Sequence, residues 1–156
     1  MEALYAQYTF CIDDNDNTAS TNYRSESFRR IPVNSQVRFL FRGSRGRQQM
    51  RVIDGVAYTY QHIKKHTEDS FEEAFGKAFG PEPVDLSGFT EEERKAIQEG
   101  RVEVGMSREA VLIAMGPPPA VGTPSLDADT WKYWSNRFRT FFVTFDGEGR
   151  VSHTGR

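Results

Sequence analysis

The chain has 156 residues, enough for one ordinary domain or two small ones. Hydrophobic residues make up 37% and aromatic residues 13%, so large rings can bury much apolar area and we do not expect disorder throughout the chain. No apolar run approaches the roughly 20 residues of a membrane-spanning helix. The single cysteine, Cys11, excludes an internal disulfide and a cysteine-based zinc site.

The net charge of −2 hides two oppositely charged blocks. Residues 24–51 contain eight arginines and one glutamate, a balance of +7. Residues 67–100 contain ten acidic and three basic residues, a balance of −7. This division favours two modules that dock on each other.

Residues 1–66 are predicted to form a β-rich module. Aromatic and β-branched residues, with partial alternation, predict short strands at residues 5–12, 31–42, 50–53 and 56–63. Turns are expected at residues 43–46 and at Asp54-Gly55, and the aspartate-rich residues 13–17 form a polar loop. Strands this short and numerous favour a β-meander of the SH3-like barrel or half-barrel type.

Residues 67–89 are predicted to form a helix and a linker. Phe71, Phe75 and Phe79 recur every four residues, which is typical of one helix face. We expect Thr67 to cap this helix and Gly80-Pro81 to end it.

Residues 90–156 are predicted to form two helices on a three-stranded antiparallel sheet. Thr90 to Glu93 is a capping box, and Gly100 ends that helix. Ser107 is the expected N-cap of the next helix, which stops at Gly116 in a left-handed conformation. A proline-rich loop then leads to strands at residues 130–135, 138–145 and 150–153. The whole chain is therefore predicted to be α+β.

Three features of this last part occur in an order that resembles a known family. They are the stretch from Gly105 to Val111, the helix end from Met115 to Pro118, and Trp131 to Trp134 followed by residues 142–151. Over residues 90–156 the chain resembles the SmpA/OmlA family, the BamE-like lipoproteins of the bacterial outer membrane. The β-lactamase inhibitor proteins share a similar helix-helix-sheet unit.

The resemblance implies a protein-binding role in outer-membrane assembly, with two departures from the family. Cys11 follows Thr9-Phe10, which is not the lipobox of these lipoproteins. The arginine-rich β region is not part of the family's small domain. The chain is thus expected to represent a distinct subfamily with an added module.

No catalytic or metal-binding motif is complete in the sequence. Residues 13–17 begin like an EF-hand loop, but Thr18 and Arg24 occupy the positions of the required glycine and glutamate. His62 and His66 have no adjacent third ligand, and nothing basic adjoins Cys11 in sequence to activate its thiol. We therefore predict that the protein is not an enzyme and uses no metal or cofactor.

The candidate interaction residues are aromatic, proline and arginine side chains. Trp134 is out of phase with Trp131, the prolines lie in a loop, and guanidinium groups suit anionic partners. The arginines can equally form a solvated strand face or pair with the acidic block. The full set is Trp131, Trp134, Arg137, Pro118, Pro119, Arg38, Arg42, Arg45 and Arg47.

These features predict a non-catalytic bacterial cell-envelope protein that binds another envelope protein, with anionic lipid head groups as a further partner. Met1 is followed by neither a basic nor an apolar segment, so we expect no leader peptide in these residues. If a leader precedes Met1 in the precursor, the protein is expected in the periplasm or anchored to the outer membrane, and otherwise in the cytoplasm. Two alternatives are a cytoplasmic nucleic-acid-binding module that uses the arginine-rich strands, and an enzyme-inhibitor-like domain.

Overall fold

The structure is a computed structural model that describes residues 4–42, 47–52, 57–61 and 69–155. The N-terminal strands are β1 (Leu4–Ala6), β2 (Phe10–Ile12), β3 (Asn17–Ala19), β4 (Arg29–Ile31), β5 (Gln36–Arg42), β6 (Arg47–Val52) and β7 (Ala57–Gln61). They are followed by α1 (Phe71–Ala78), β8 (Phe79–Gly80), α2 (Glu91–Glu99), α3 (Arg108–Met115), β9 (Thr130–Asn136), β10 (Arg139–Phe145) and β11 (Val151–Gly155). The predicted α+β class is confirmed. No helix in the described ranges is both long and apolar enough to cross a membrane.

The N-terminal strands form an open sheet in the order β3-β7-β6-β5-β1-β8. The predicted meander is present as β5, β6 and β7, which pair antiparallel in sequence order. This sheet does not close into an SH3-like barrel among the described residues, because its two edge strands, β3 and β8, do not pair with each other.

Two of the predicted strands are each divided in two. Residues 5–12 form β1, which pairs with β5, and β2, which pairs with β4. Residues 31–42 are interrupted after Ile31, where Asn34 adopts a φ of 69° and the amide of Ser35 donates to the carbonyl of Pro32 at 3.1 Å. This turn redirects the chain from β4 into β5.

Helix α1 contains Phe71 and Phe75 of the three predicted phenylalanines but begins later than expected. Its N-cap is Ser70, which forms a capping box with Glu73; the predicted cap, Thr67, was therefore wrong and lies outside the described residues. Phe79 ends the helix and enters β8. Its ring meets Tyr60 and Phe10 edge-on, at centroid distances of 5.6 and 5.8 Å, in the first of two apolar cores.

The predicted caps of the C-terminal helices are confirmed. Thr90 and Glu93 form the capping box of α2, Gly100 ends it in the left-handed conformation, and Ser107 caps α3. Gly116 has a φ of 77° but a ψ of 175°, so it is not in the left-handed helical conformation that we expected. This region of backbone space is essentially restricted to glycine. Gly116 therefore turns the chain sharply away from α3.

The second core lies between α2, α3 and the sheet β11-β10-β9. Trp131, Tyr133 and Val143 are completely buried in it, and Tyr133 stacks on Phe141 at a centroid distance of 5.6 Å. The helices cover this sheet face through apolar residues, which include Ile97, Ala110, Val111 and Ala114. Trp131 and Tyr133 thus share the inner face, as their alternation predicts.

Candidate interaction site

The outer face of the C-terminal sheet carries aromatic side chains. Side chains alternate along a strand, so Lys132 and Trp134 lie opposite to Trp131 and Tyr133. In the antiparallel register Lys132 is paired with Phe142, and Trp134 with Thr140. We call these four residues the outer face. The Phe142 side chain is 37% exposed there, and the Lys132 Nζ lies 4.9 Å from the centre of the Trp134 ring.

The loop of residues 117–129 borders the outer face along β9. A Cβ atom at Gly122 would lie only 2.9 Å from the Trp134 ring and from the Lys132 stem, so glycine permits this close approach. Thr123 Oγ1 accepts a hydrogen bond from the Lys132 amide at 2.8 Å. The loop leaves Val121 60% exposed beside this contact.

The β9–β10 hairpin adds a further exposed ring. Asn136 Oδ1 accepts hydrogen bonds from the amides of Phe138 and Arg139 and so shapes the turn. Phe138 is 81% exposed, and the Arg137 guanidinium lies 4.7 Å from the centre of its ring. The outer face is therefore extended by an aromatic group at the hairpin tip.

The structure separates the predicted candidate residues into exposed and buried ones. Trp134 and Arg137 lie on or beside the outer face. Trp131 is completely buried in the second core, and Pro118 and Pro119 are buried beside a small cavity. As a correction to our expectation, the side chains of these three residues do not belong to the chain's exposed surface.

The arginine-rich block does not form one uniform surface. Arg38 is exposed on β5, and the backbone of Arg42 and Arg47 lies in β5 and β6. Arg45 lies outside the described residues. Arg24, in contrast, is only 2% exposed. Arg24 is therefore a buried structural residue, which the charge count could not indicate.

Arg24 lies at the C-terminal ends of α2 and α3. Its Nη1 donates to the Thr9 carbonyl at 2.8 Å, and its Nη2 donates to the carbonyls of Ala114 at 2.9 Å and Gly100 at 3.4 Å. The last carbonyls of a helix lack intrahelical partners and carry partial negative charge, which favours a cation at that position. Burial lowers the pKa of Arg24, and these carbonyl contacts offset the cost of holding its charge away from water.

Neighbouring side chains also donate hydrogen bonds to carbonyls at the C-terminal ends of the two helices. Asn22 Nδ2 donates to the carbonyls of Met115 at 2.7 Å and Pro117 at 3.2 Å. Thr9 Oγ1 donates to the Ile97 carbonyl at 2.6 Å. We call Thr9, Asn22 and Arg24 the junction, because these N-terminal residues bond directly to the ends of α2 and α3.

Tyr8 and Tyr133 contact Gly116 beside the junction. The Tyr133 hydroxyl donates to the Gly116 carbonyl at 2.8 Å, and burial raises the pKa of this phenol, so it stays protonated as a donor. A Cβ atom at Gly116 would lie 2.7 Å from the Tyr8 ring. Because these contacts join residues far apart in sequence, only the folded chain reveals them.

The chemistry of the described residues gives no metal centre. Within residues 4–42, 47–52, 57–61 and 69–155, no three His, Cys, Asp or Glu residues are grouped to hold an ion. His62 and His66 lie outside these ranges. The thiol of Cys11 is buried.

Comparison with known proteins gives a match for the C-terminal part alone. Residues 95–155 match the family described as the outer membrane protein assembly factor BamE domain. The matched span begins within α2 and ends with β11, so it contains α3 and the whole three-stranded sheet. No curated protein and no solved structure matches the chain. The C-terminal part of the chain is a BamE/SmpA-like unit.

Proposed function

We propose that this protein is a non-catalytic cell-envelope protein whose outer face binds another envelope protein. The BamE domain match indicates a protein-interaction role like that of outer-membrane assembly lipoproteins. A location in the periplasm or at the outer membrane agrees with that family. The proposal also assigns the contact to the C-terminal sheet.

The observation that carries the proposal is the set of exposed aromatic groups on one side of this sheet. Its inner face buries Trp131 and Tyr133 completely, whereas the outer face leaves Phe142 partly exposed and the adjoining hairpin tip leaves Phe138 largely exposed. Aromatic residues are enriched in the centres of protein interfaces because they bury much area with few rotatable bonds. The adjoining Arg137 and Lys132 supply the polar border that such interfaces have.

Site-specific photocrosslinking in envelope preparations tests this proposal. A photoreactive phenylalanine analogue at position 142 should crosslink to a defined protein, identified by mass spectrometry. The matched control is Val104, another exposed apolar residue (69% exposed), which lies between α2 and α3. Crosslinking at position 104 but not at 142 would contradict the assigned surface.

A competition experiment distinguishes specific from incidental contact. Unlabelled wild-type protein should suppress the crosslink from position 142, and the Phe142→Ser variant should compete at least tenfold less well, because one anchor ring is removed. The Val104→Ser variant should compete like the wild type. Equal competition by all three proteins would overturn the role of Phe142.

Localisation is tested separately, with the natural gene and its own upstream sequence. Cell fractionation should recover the protein with the envelope. Recovery entirely in the cytoplasmic fraction would overturn the envelope assignment.

A further inference from the structure

A groove of about 500 Å³ lies where the N-terminal residues meet the end of the C-terminal sheet. This volume is in the range of natural ligand sites, roughly 300–1,000 Å³. Its lining contains Arg24, Arg30, Arg101 and Arg139, against one carboxylate, Glu26. The groove is separate from the outer face. Along β10, Arg139 and Phe141 lie on the opposite side of the sheet from Thr140 and Phe142, because successive side chains of a strand alternate.

Most of this positive charge has no carboxylate partner in the described structure. Arg24 bonds only to neutral oxygens, and its Nε is a buried donor without a partner. Arg30 Nη1 donates to the carbonyls of Ser25 and Phe28. Arg139 is exposed, and among the described residues its guanidinium has no ion pair.

Arg101 differs, because it is paired with Glu99 and Glu103. The groove therefore keeps an excess of positive charge from the other three arginines. A concave surface of one charge sign concentrates the field and attracts a ligand of opposite charge.

The C-terminal end of an exposed strand edge lies at the same groove. Among the described residues, β11 pairs with β10 alone. On its other side, only Val151 is bonded to described residues, through the backbone of Gly105 and Met106. Beyond Val151 all residues of β11 are exposed, and Thr154 and Gly155 line the groove. An exposed strand edge presents unpaired amides and carbonyls that an extended peptide can bond.

The opposite edge of the same sheet is covered by the chain itself. On β9, the Lys132 amide donates to Thr123, and the Trp134 carbonyl accepts from the Arg24 amide at 2.8 Å. Among the residues that the structure describes, one edge of this sheet is thus covered, and the other is unpaired beyond Val151, beside the arginines.

We propose that an extended acidic segment of a partner protein binds here by adding a strand to β11. Its backbone pairs with the β11 edge, and its aspartate or glutamate side chains, which alternate along the strand, reach Arg30 and Arg139. Guanidinium and carboxylate groups form paired, charge-assisted hydrogen bonds. Phe141 and Met115 provide apolar contact in the same groove. A phosphate head group would satisfy the arginines but not the strand edge, which favours a peptide.

Peptide binding to the full chain tests this proposal. The probe is a fluorescein-labelled eight-residue peptide that alternates valine and glutamate, followed by fluorescence anisotropy. It should bind at least tenfold more tightly than the same peptide with lysine in place of glutamate. Equal binding of the two peptides would overturn the charge complementarity.

A pair of arginine variants locates the site. Arg139→Glu should weaken binding of the acidic peptide about tenfold or more, because it reverses a charge in the groove. The matched control is Arg137→Glu, two residues away and directed to the Phe138 ring, which should bind nearly as the wild type does. A thermal melt confirms that both variants are folded. Equal affinities of the two variants would overturn the proposed location.

Binding of backbone-methylated peptides tests the binding mode, and binding to lipid vesicles tests the choice of partner. Two modified peptides are used, one methylated at the odd-numbered and the other at the even-numbered backbone nitrogens. Each modification removes the amide donors of one peptide edge and keeps all charges, so one of the two peptides should no longer add to the sheet as a strand. Unchanged binding of both methylated forms would overturn the strand pairing.

Binding to phosphatidylglycerol vesicles without binding to the peptide would overturn the choice of partner. Because Phe142→Ser leaves the groove intact, it should not affect this assay, which separates the groove from the outer-face proposal.

Discussion

The junction and the outer face meet at one strand but use opposite chemistry. At the edge of β9 the Trp134 carbonyl is bonded by the Arg24 amide, whereas the Trp134 ring lies on the outer face. In the junction, buried polar groups meet helix-end carbonyls, and each lost bond leaves an unsatisfied group away from water. On the outer face, aromatic groups remain accessible. We therefore expect the junction to determine the stability of the fold, and the proposed outer face to contribute little to it.

The largest effect is expected when the centre of the junction is removed. Arg24→Met should lower the free energy of unfolding by about 3 kcal/mol, because the carbonyls of Thr9 and Ala114 lose their donor in a buried environment. Urea denaturation measures this change. The control is Arg38→Met on β5, which is exposed and should change the stability by less than about 0.5 kcal/mol. Equal midpoints for the two variants would show that the junction does not stabilise the fold.

A somewhat smaller effect is expected at the glycine that ends α3. Gly116→Ala should cost about 2–3 kcal/mol, because it combines a positive φ of 77° with a Cβ position 2.7 Å from the buried Tyr8 ring. Gly105→Ala is the matched control: its φ is 95°, but nothing lies within 4 Å of the added atom. It should cost only the backbone strain, about 1–2 kcal/mol. If both variants are equally destabilised in urea, the Tyr8 contact contributes nothing.

A pH-dependent effect on stability is expected at Glu93, whose carboxylate connects the N-terminal ends of α2 and α3. Its Oε1 accepts from the Thr90 amide and its Oε2 from the Ser107 amide, each at 3.1 Å. Burial by itself would raise the pKa of Glu93, but these bonds and the nearby Arg150 outweigh it and hold the pKa below its ordinary value.

A carboxyl with a lowered pKa in the folded state stabilises the protein above its unfolded pKa, about 4.3 for glutamate, and loses this contribution as the pH falls through the folded value. Glu93→Gln should therefore be less stable by about 1 kcal/mol at pH 7, and the difference should shrink below pH 4. Urea denaturation at pH 7 and pH 3.5 checks this. A difference that is constant between these pH values would contradict the role of the ionised carboxylate.

Local signals in the sequence predicted the C-terminal unit well. The capping box at Thr90, the N-cap Ser107 and the alternation of Trp131 and Tyr133 each depend on neighbouring residues, and all were correct. The phase of Trp134 likewise indicated the outer face, because strand alternation is a local property.

Long-range contacts explain what the sequence could not predict. The pairing of β8 with β1 joins residues more than seventy positions apart. Arg24 looks like any other arginine of its block until the fold places it against Gly100 and Ala114. Pro118 and Pro119 looked exposed because loops usually are, yet they are buried.

The smallest effect on the free energy of unfolding is expected on the outer face, for the Phe142→Ser variant. Phe142 is 37% exposed, and its inward neighbour Val143 supplies the core contact, so the free energy of unfolding should change by less than about 1 kcal/mol. The matched inner-face variant, Val143→Ala, should lose about 2 kcal/mol, because it leaves a cavity in the second core. Urea denaturation of the two variants measures both changes. A loss at position 142 as large as that at 143 would mean that the outer face is part of the folding core, and the separation between a stabilising junction and a free binding face would then fail.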